Sequence, residues 1–168
     1  MTIGTVRTQG TELFFIDTVT DSNSTVRKMA CPTGITGGTG AKDQIEDTCL
    51  DNTEDKTFKA GLGNPGARSV PFNFIPSNFS HQTLLELKRT GENVKWFVGL
   101  SDGTAVPTID DDLNWIPPAA PLRTSYEFEG YVSDVAIDIA TNEIVRGTLS
   151  IQVSGSDTWH WNGPTPTA

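Results

Sequence analysis

The run Gly34-Ile35-Thr36-Gly37-Gly38-Thr39-Gly40-Ala41-Lys42 is the first place to look for chemistry, because glycines beside a lysine can cradle phosphate. A phosphate loop needs glycine, four residues, then Gly-Lys-Ser/Thr, so that backbone amides and the ammonium converge. Here Lys42 follows Ala41 and precedes Asp43, whose carboxylate would face the phosphates. A glycine-rich loop is the expectation. Asp110-Asp111-Asp112 is the second candidate, as a divalent-cation site. Calcium loops space their oxygens at alternate positions around a glycine turn and add a distal glutamate. Consecutive aspartates lack that spacing, which predicts a solvated loop.

His81 and His160 are the only histidines, and neither lies in a nucleophile-elbow sequence. Both are expected to be structural or surface residues. Cys31 and Cys49 match no zinc pattern, since no CxxC is present and the histidines are distant. They are expected as reduced, partly buried thiols, with a bridge across the intervening loop as the alternative. Trp159-His160-Trp161 reads either as a ligand platform or as an anchor for the chain end on a core or a neighbouring subunit. No nucleophile, base or metal set emerges, so no catalytic, cofactor or metal residue is assigned and no enzyme is expected.

The elements that would position such residues are mostly strands. The 168 residues carry 21 acidic and 12 basic side chains, a net charge of −9. That balance opposes a grip on nucleic-acid phosphates, which relies on basic patches and counterion release. No run approaches the ~18 apolar residues of a membrane helix, so no membrane insertion is expected. The N-terminus lacks a basic region followed by an apolar core, so no secretory signal is expected and synthesis in a cytoplasm is.

Residues 11–19 and 25–31 read as a hairpin of β-prone residues around the turn cluster Asp21-Ser22-Asn23-Ser24. Residues 32–66 read as one long irregular loop, and loops of that length are usually functional or ordered by a partner. Residues 67–75 alternate, with Val70, Phe72 and Phe74 on one face. A helix is expected from Ser80 as N-cap, with Phe79 stapled onto Leu84, Leu84 and Leu87 on the buried face, Lys88 and Arg89 in the last turn and Gly91 as the stop. A strand over 93–100 and a Pro-rich loop with Pro107, Pro117, Pro118 and Pro121 follow. Residues 124–139 and 143–153 form the closing hairpin. Tyr126 and Phe128 share one phase, whereas Val135, Ile137 and Ile139 take the other, which predicts a bulge near residues 132–134. The expected fold is α+β and mainly β: a β-sandwich or barrel flanked by one helix, with long loops and a long C-terminal hairpin. Residues 1–161 are expected as one domain and 162–168 as a flexible tail.

Gln44-Ile45-Glu46-Asp47-Thr48-Cys49-Leu50-Asp51, then Gly61-Leu62-Gly63-Asn64-Pro65-Gly66 leading into a strand and a single helix, resembles the major tail tube proteins of long, non-contractile-tailed bacteriophages. Tyr126-Glu127-Phe128-Glu129-Gly130-Tyr131 and Arg146-Gly147-Thr148-Leu149-Ser150-Ile151-Gln152-Val153 are similar to that family's closing hairpin. The resemblance covers roughly residues 10–160. It implies a tail-tube-like fold and a structural virion protein whose hexameric rings stack into a conduit for DNA ejection, assembled in the host bacterial cytoplasm.

The implied partners are further copies of the chain, a tape-measure protein, a tail terminator and tail tip proteins. DNA would pass without specific binding; six copies at −9 each carry −54 formal charges per ring, and a negative lumen repels phosphate. Glu127, Glu129, Asp134 and Asp138 are the candidate lumen-facing acids. Ile45, Glu46, Asp47, Leu50, Asp51, Phe58 and Leu62 are the candidate contacts between subunits or rings. An extra immunoglobulin-like domain, present in some relatives, is not expected. The alternatives are a minor ring or completion protein of the same fold, the tube of a contractile tail or secretion system, and a monomeric carbohydrate-binding β-sandwich with Trp96, Trp115, Trp159 and Trp161 as sugar platforms.

Overall fold

The computed structural model describes residues 4–20, 22–118 and 123–163. Most of the tail expected over 162–168 lies outside the described residues, as do Met1, Asp21 and Pro121.

Ten strands and one helix follow in the order β1 (Glu12–Asp17), β2 (Thr25–Lys28), β3 (Ala41–Glu46), β4 (Phe58–Asn64), β5 (Ala67–Asn73), α1 (Phe79–Thr90), β6 (Asn93–Gly99), β7 (Thr108–Ile109), β8 (Trp115–Ile116), β9 (Ser125–Asp138) and β10 (Arg146–His160) among the described residues. Six of them make one antiparallel sheet in the order β2-β1-β6-β9-β10-β5, curled into a half-barrel. The fold class is therefore mainly β with one helix, as expected.

The helix packs on one face of this sheet. Leu84 and Leu87 enter a core with Leu13, Phe15, Val70, Phe72, Trp96, Phe128, Leu149 and Ile151. A smaller cluster of Phe14, Ile16, Phe97 and Trp115 lies on the other face, beneath the β7–β8 hairpin. Strand β1 serves both clusters, so it is buried from Leu13 to Asp17.

Two expectations about the helix change. The N-cap is Asn78, whose side chain accepts the Ser80 N–H at 2.9 Å, so the helix starts one residue before Ser80. Asparagine caps as well as serine, and Ser80 is buried, its hydroxyl accepting from Ala30 N. The predicted Phe79–Leu84 staple is absent: Phe79 is exposed and lies under the Arg27 guanidinium at 5.3 Å. Gly91 does end the helix, at φ 69°, a left-handed conformation that favours glycine.

The long loop expected over 32–66 is a correction. Two stretches of it are regular: β3 and β4 pair as an antiparallel hairpin, joined by the irregular residues 47–57. Short apolar content and scattered glycines had concealed the strands. Residues 31–36 run along the outer edge of β5, with mutual bonds between Thr36 and Ser69 at 2.9 Å.

The closing hairpin is longer than expected, since β10 continues to His160. Ser133 is the extra residue in β9: Ser150 stands opposite Asp134 and Ile151 opposite Val132. That is the bulge the phase change predicts. A second irregularity, unexpected, sets Gly155, Ser156 and Asp157 against Phe128 alone.

Candidate functional site

The residues singled out for chemistry do not converge. Lys42 lies in β3 opposite Gly63, away from any helix N-terminus. Asp110 makes the turn of the β7–β8 hairpin, accepting the N–H groups of Asn114 at 2.7 Å and Asp112 at 3.0 Å. The Asn114 bond, with the others, holds the Asp110 carboxyl below the usual carboxylate range. His81 is buried; its Nδ1 accepts the Ile75 N–H at 3.0 Å, so Nε2 carries the proton and donates to Ala30 O at 2.8 Å. It is a structural tie, not a base. His160 Nε2 lies 3.7 Å from Glu127.

Cys31 and Cys49 are free, as expected of reduced thiols, but both are exposed rather than partly buried. Cys31 follows the edge strand β2, and Cys49 lies at the far end of the β3–β4 hairpin, where neither has a core to enter. Nor can four tryptophans serve as sugar platforms: Trp96 is 0% and Trp115 8% exposed. Trp159 and Trp161 are more open and stack on each other at 5.1 Å, with Trp159 on Tyr126 at 4.6 Å.

The most exposed surface lies on one hairpin. The β3–β4 hairpin is an arm: no residue of β3 is buried, and in β4 only Gly61 is partly covered. Its tip is ordered by its own bonds, among them Thr57 N to Thr48 Oγ1 at 3.0 Å and Asn52 Nδ2 to Asp55 O at 2.8 Å. Ile45 pairs with Lys59 and Phe58 with Glu46, so the two apolar residues fall on opposite faces of the arm. Leu50 at the tip and Leu62 in β4 are almost fully exposed. Glu46 and Asp47 are bound by Lys56 and Lys59, which leaves Asp51, with Glu54 and Asp55, as the acidic charge of the tip. All seven residues expected to make contacts thus lie on this arm and are exposed.

The four expected lumen acids share one register. Glu127 and Glu129 alternate with the buried Tyr126 and Phe128 and so point away from the helix. The extra residue Ser133 then resets the phase, and Asp134 and Asp138 stand opposite Ser150 and Arg146, the polar positions of β10. Without that bulge, Asp134 and Asp138 would fall in phase with Val132 and the core. They are not equally available. Glu127 is about three-quarters covered beside His160, and Lys88 of the helix reaches within 3.6 Å of Asp134.

Three buried charged groups, missed by sequence reasoning, set this geometry. Arg123 donates to the carbonyls of Leu100, Ala105, Gly10 and Gly99 and to Glu12, clamping the loops at one end of the sheet. Burial acts to raise the Glu12 pKa, but the bonds from Lys28 and Arg123 outweigh it and the net direction is down. Asp17 accepts from Val19 N, Thr20 N and Arg27 Nε. Arg68 binds Asp157 and lies 4.5 Å over the Phe128 ring. One signal was available: Arg68 is in phase with Val70 and Phe72, so it had to be buried.

Within the main sheet, two interior strands, β9 and β10, are flanked along only part of one side. Strand β6 pairs with β9 only as far as Tyr131, leaving that edge of β9 open over 132–138. Strand β5 pairs with β10 only as far as Gln152, leaving the opposite edge open over 154–160. Open edges are sites where further strands add. An exposed arm, two open half-edges and a polar sheet face define the class of structural β-proteins that are completed by their neighbours.

Within that class the chain belongs to the lambda-like phage tail tube family, whose sequence model matches residues 4–163. It is 38% identical to "Structural protein 3" of Pseudomonas phage PAJU2 over 152 residues, covering 89% of this chain and 90% of that one. Its fold is similar to the SPP1 tail tube subunit (TM-score 0.63, 11% identity, 92% of this chain and 78% of that one). It is also similar to a subunit from the tail of an empty gene transfer agent particle solved with helical refinement and C6 symmetry (TM-score 0.63, 9% identity, 94% and 100% coverage). The chain is a structural tail tube protein of a phage virion.

Proposed function

We propose that this chain forms hexameric rings that stack into the tail tube, a conduit through which DNA leaves the virion, with no enzymatic role. The observation that carries this reading is the pair of open half-edges. They lie at diagonally opposite corners of the β9–β10 hairpin, and the strands run in opposite directions. Strands inclined to the ring axis, as in a barrel, bring these diagonal corners to one height, and rotation about that axis keeps the strand directions. The open half of β9 in one copy then meets the open half of β10 in the next as an antiparallel pair. Such a contact between unlike surfaces repeats around a closed ring. The C6 symmetry of the gene transfer agent tail supports six copies.

The polar register of β9, with Glu127, Glu129, Asp134 and Asp138, faces the lumen, and its negative charge keeps DNA sliding. The arm, through Ile45, Glu46, Asp47, Leu50, Asp51, Phe58 and Leu62, reaches an adjacent subunit or the next ring. An arm with apolar residues on both faces and no core of its own gains cover only from another copy. Residues 1–161 act as one tube domain. Assembly takes place in the host cytoplasm around a tape-measure protein, and a terminator and tail tip proteins close the two ends.

Negative-stain electron microscopy of the purified, untagged, concentrated chain tests this. Rings or hollow tubes of uniform diameter are the expected result. A monodisperse monomer that never assembles, even with the other tail proteins present, would overturn it.

A further inference from the structure

The apolar face of the β9–β10 hairpin is longer than its cover. Strand β9 has 14 residues and β10 has 15, so the hairpin spans about 46–50 Å at ~3.3 Å per residue. Helix α1 has 12 residues, about 18 Å at ~1.5 Å per residue. The helix therefore covers less than half the length of that face.

At the turn end the apolar register continues through Val135 and Ile137, which pack against the core, to Ile139, exposed at 81%. Ile144, two residues before Arg146 and in its phase, adds a second open apolar side chain at the same end, exposed at 66%. Ile75 lies beside Ile144, because the Phe74 N–H bonds to Val145 O at 2.9 Å and brings that segment alongside. At the other end the register passes from Tyr126 to Trp159, its cross-strand partner, and on to Trp161. The indole rings of Trp159 and Trp161 are nearly parallel, at 13°, and the pair is open to solvent. Each end carries exposed charge of both signs, Arg146 with Glu143 at the turn and Asp102 with Arg7 at the other. Arg7 sits at the tryptophan end, where its carbonyl accepts from Ser101.

We propose that these two ends are the halves of one interface between copies of this chain: the Ile75, Ile139 and Ile144 end of one copy seats on the Trp159 and Trp161 end of the next copy along the tube axis. This rests on the tube reading above and specifies how rings stack on the inner wall. The halves are unlike and lie at opposite poles of the same strands. A contact of this type does not close on itself but propagates as an open filament. Glu143 of one copy then approaches Arg7 of the next. The arm is not needed for this contact, which lies on the hairpin.

The test uses the full chain in two forms. The first carries Ile139→Glu and Ile144→Glu, or Trp159→Glu and Trp161→Glu, with near-ultraviolet circular dichroism as a check on folding. The expected result is hexameric rings by mass photometry, with loss of pelletable tubes in both variants. The second carries Cys31→Ser and Cys49→Ser, with Thr141→Cys and Asn162→Cys added, oxidised after tubes have formed. A ladder of covalent multimers on a non-reducing gel is expected, absent from either single-cysteine form.

Tubes of native length from the glutamate variants would overturn the proposal while leaving the tube reading intact. So would tubes of the cysteine form that give no ladder. If the native chain forms neither rings nor tubes, the tube reading fails first and takes this interface with it.

Discussion

Arg68, the second residue of β5, and Asp157, in the β10 irregularity, form an ion pair in which each side chain is only 4% exposed, 89 positions apart in the chain. The guanidinium also covers the Phe128 and Tyr126 rings, at 4.5 and 5.1 Å. Gly37, at the root of the arm, packs on it so closely that a Cβ would come within 2.9 Å of Arg68 Cγ. The three residues of β10 that face Phe128 alone thus deliver a carboxylate to a cation that β5 has already buried.

Removing one partner leaves a buried charge unpaired, which costs about 3–5 kcal/mol. Arg68→Ala is expected to lose stability in that range by urea unfolding, and Asp157→Ala likewise. The double variant is expected to cost less than the sum of the two. Strict additivity would show that the pair is not coupled.

Asp17 makes stability depend on pH. Burial acts to raise its pKa, but hydrogen bonds from Thr20, Arg27 and Val19 more than offset this, so the folded value lies below the ordinary 3.8. A carboxyl depressed on folding contributes stability that is complete above the unfolded pKa and is lost as pH falls through the folded one. Native chain is therefore expected to lose urea resistance on going from about pH 6 to about pH 2. Asp17→Asn is expected to start lower and to show a shallower dependence. Parallel curves for the two proteins would contradict this.

The arm separates stability from assembly. Leu50 and Leu62 are 106% and 85% exposed, and exposed positions usually change stability by less than about 0.5 kcal/mol. Leu50→Asp with Leu62→Asp is expected to melt as the native chain does, yet to fail to form long tubes in sedimentation assays. Native tube yield from that variant would remove the arm from the assembly surface.

Lumen charge has its own signature. Replacing Glu129 and Asp138 by lysine in every copy leaves the sheet intact, since both are exposed, but would line the tube with cations that hold phosphate in a salt-dependent way. Such tubes are expected to retain nuclease-protected DNA at low salt and to release it as salt rises. Equal DNA content in both proteins would place these residues elsewhere than the lumen.

Gly147 marks how tightly β5 and β10 approach. A Cβ there would sit 2.4 Å from the Phe72 ring, and overpacking of this kind costs typically about 1–3 kcal/mol. Gly147→Ala is expected to lower the urea midpoint by a corresponding amount, and Phe72→Leu to restore part of it. No change would mean that the ring moves aside freely.

The sequence alone determined what depends on local chemistry. Alternation marked β5 and β9–β10, the change of phase near residues 132–134 located the bulge, and Gly91 ended the helix, because side-chain period and backbone conformation are written residue by residue. The order of family motifs along 10–160 pointed to the tail tube because order and spacing are properties of the chain itself.

The tertiary structure decided what depends on partners distant in sequence. The β3–β4 arm forms without an apolar face, so no period announced it. Trp96 became core rather than platform because β6 lies at the centre of the sheet. Asp157 became a buried anion because Arg68 waits across the sheet. The open half-edges exist only because β6 and β5 are shorter than the strands they flank, and strand lengths must be laid side by side before any edge is left over.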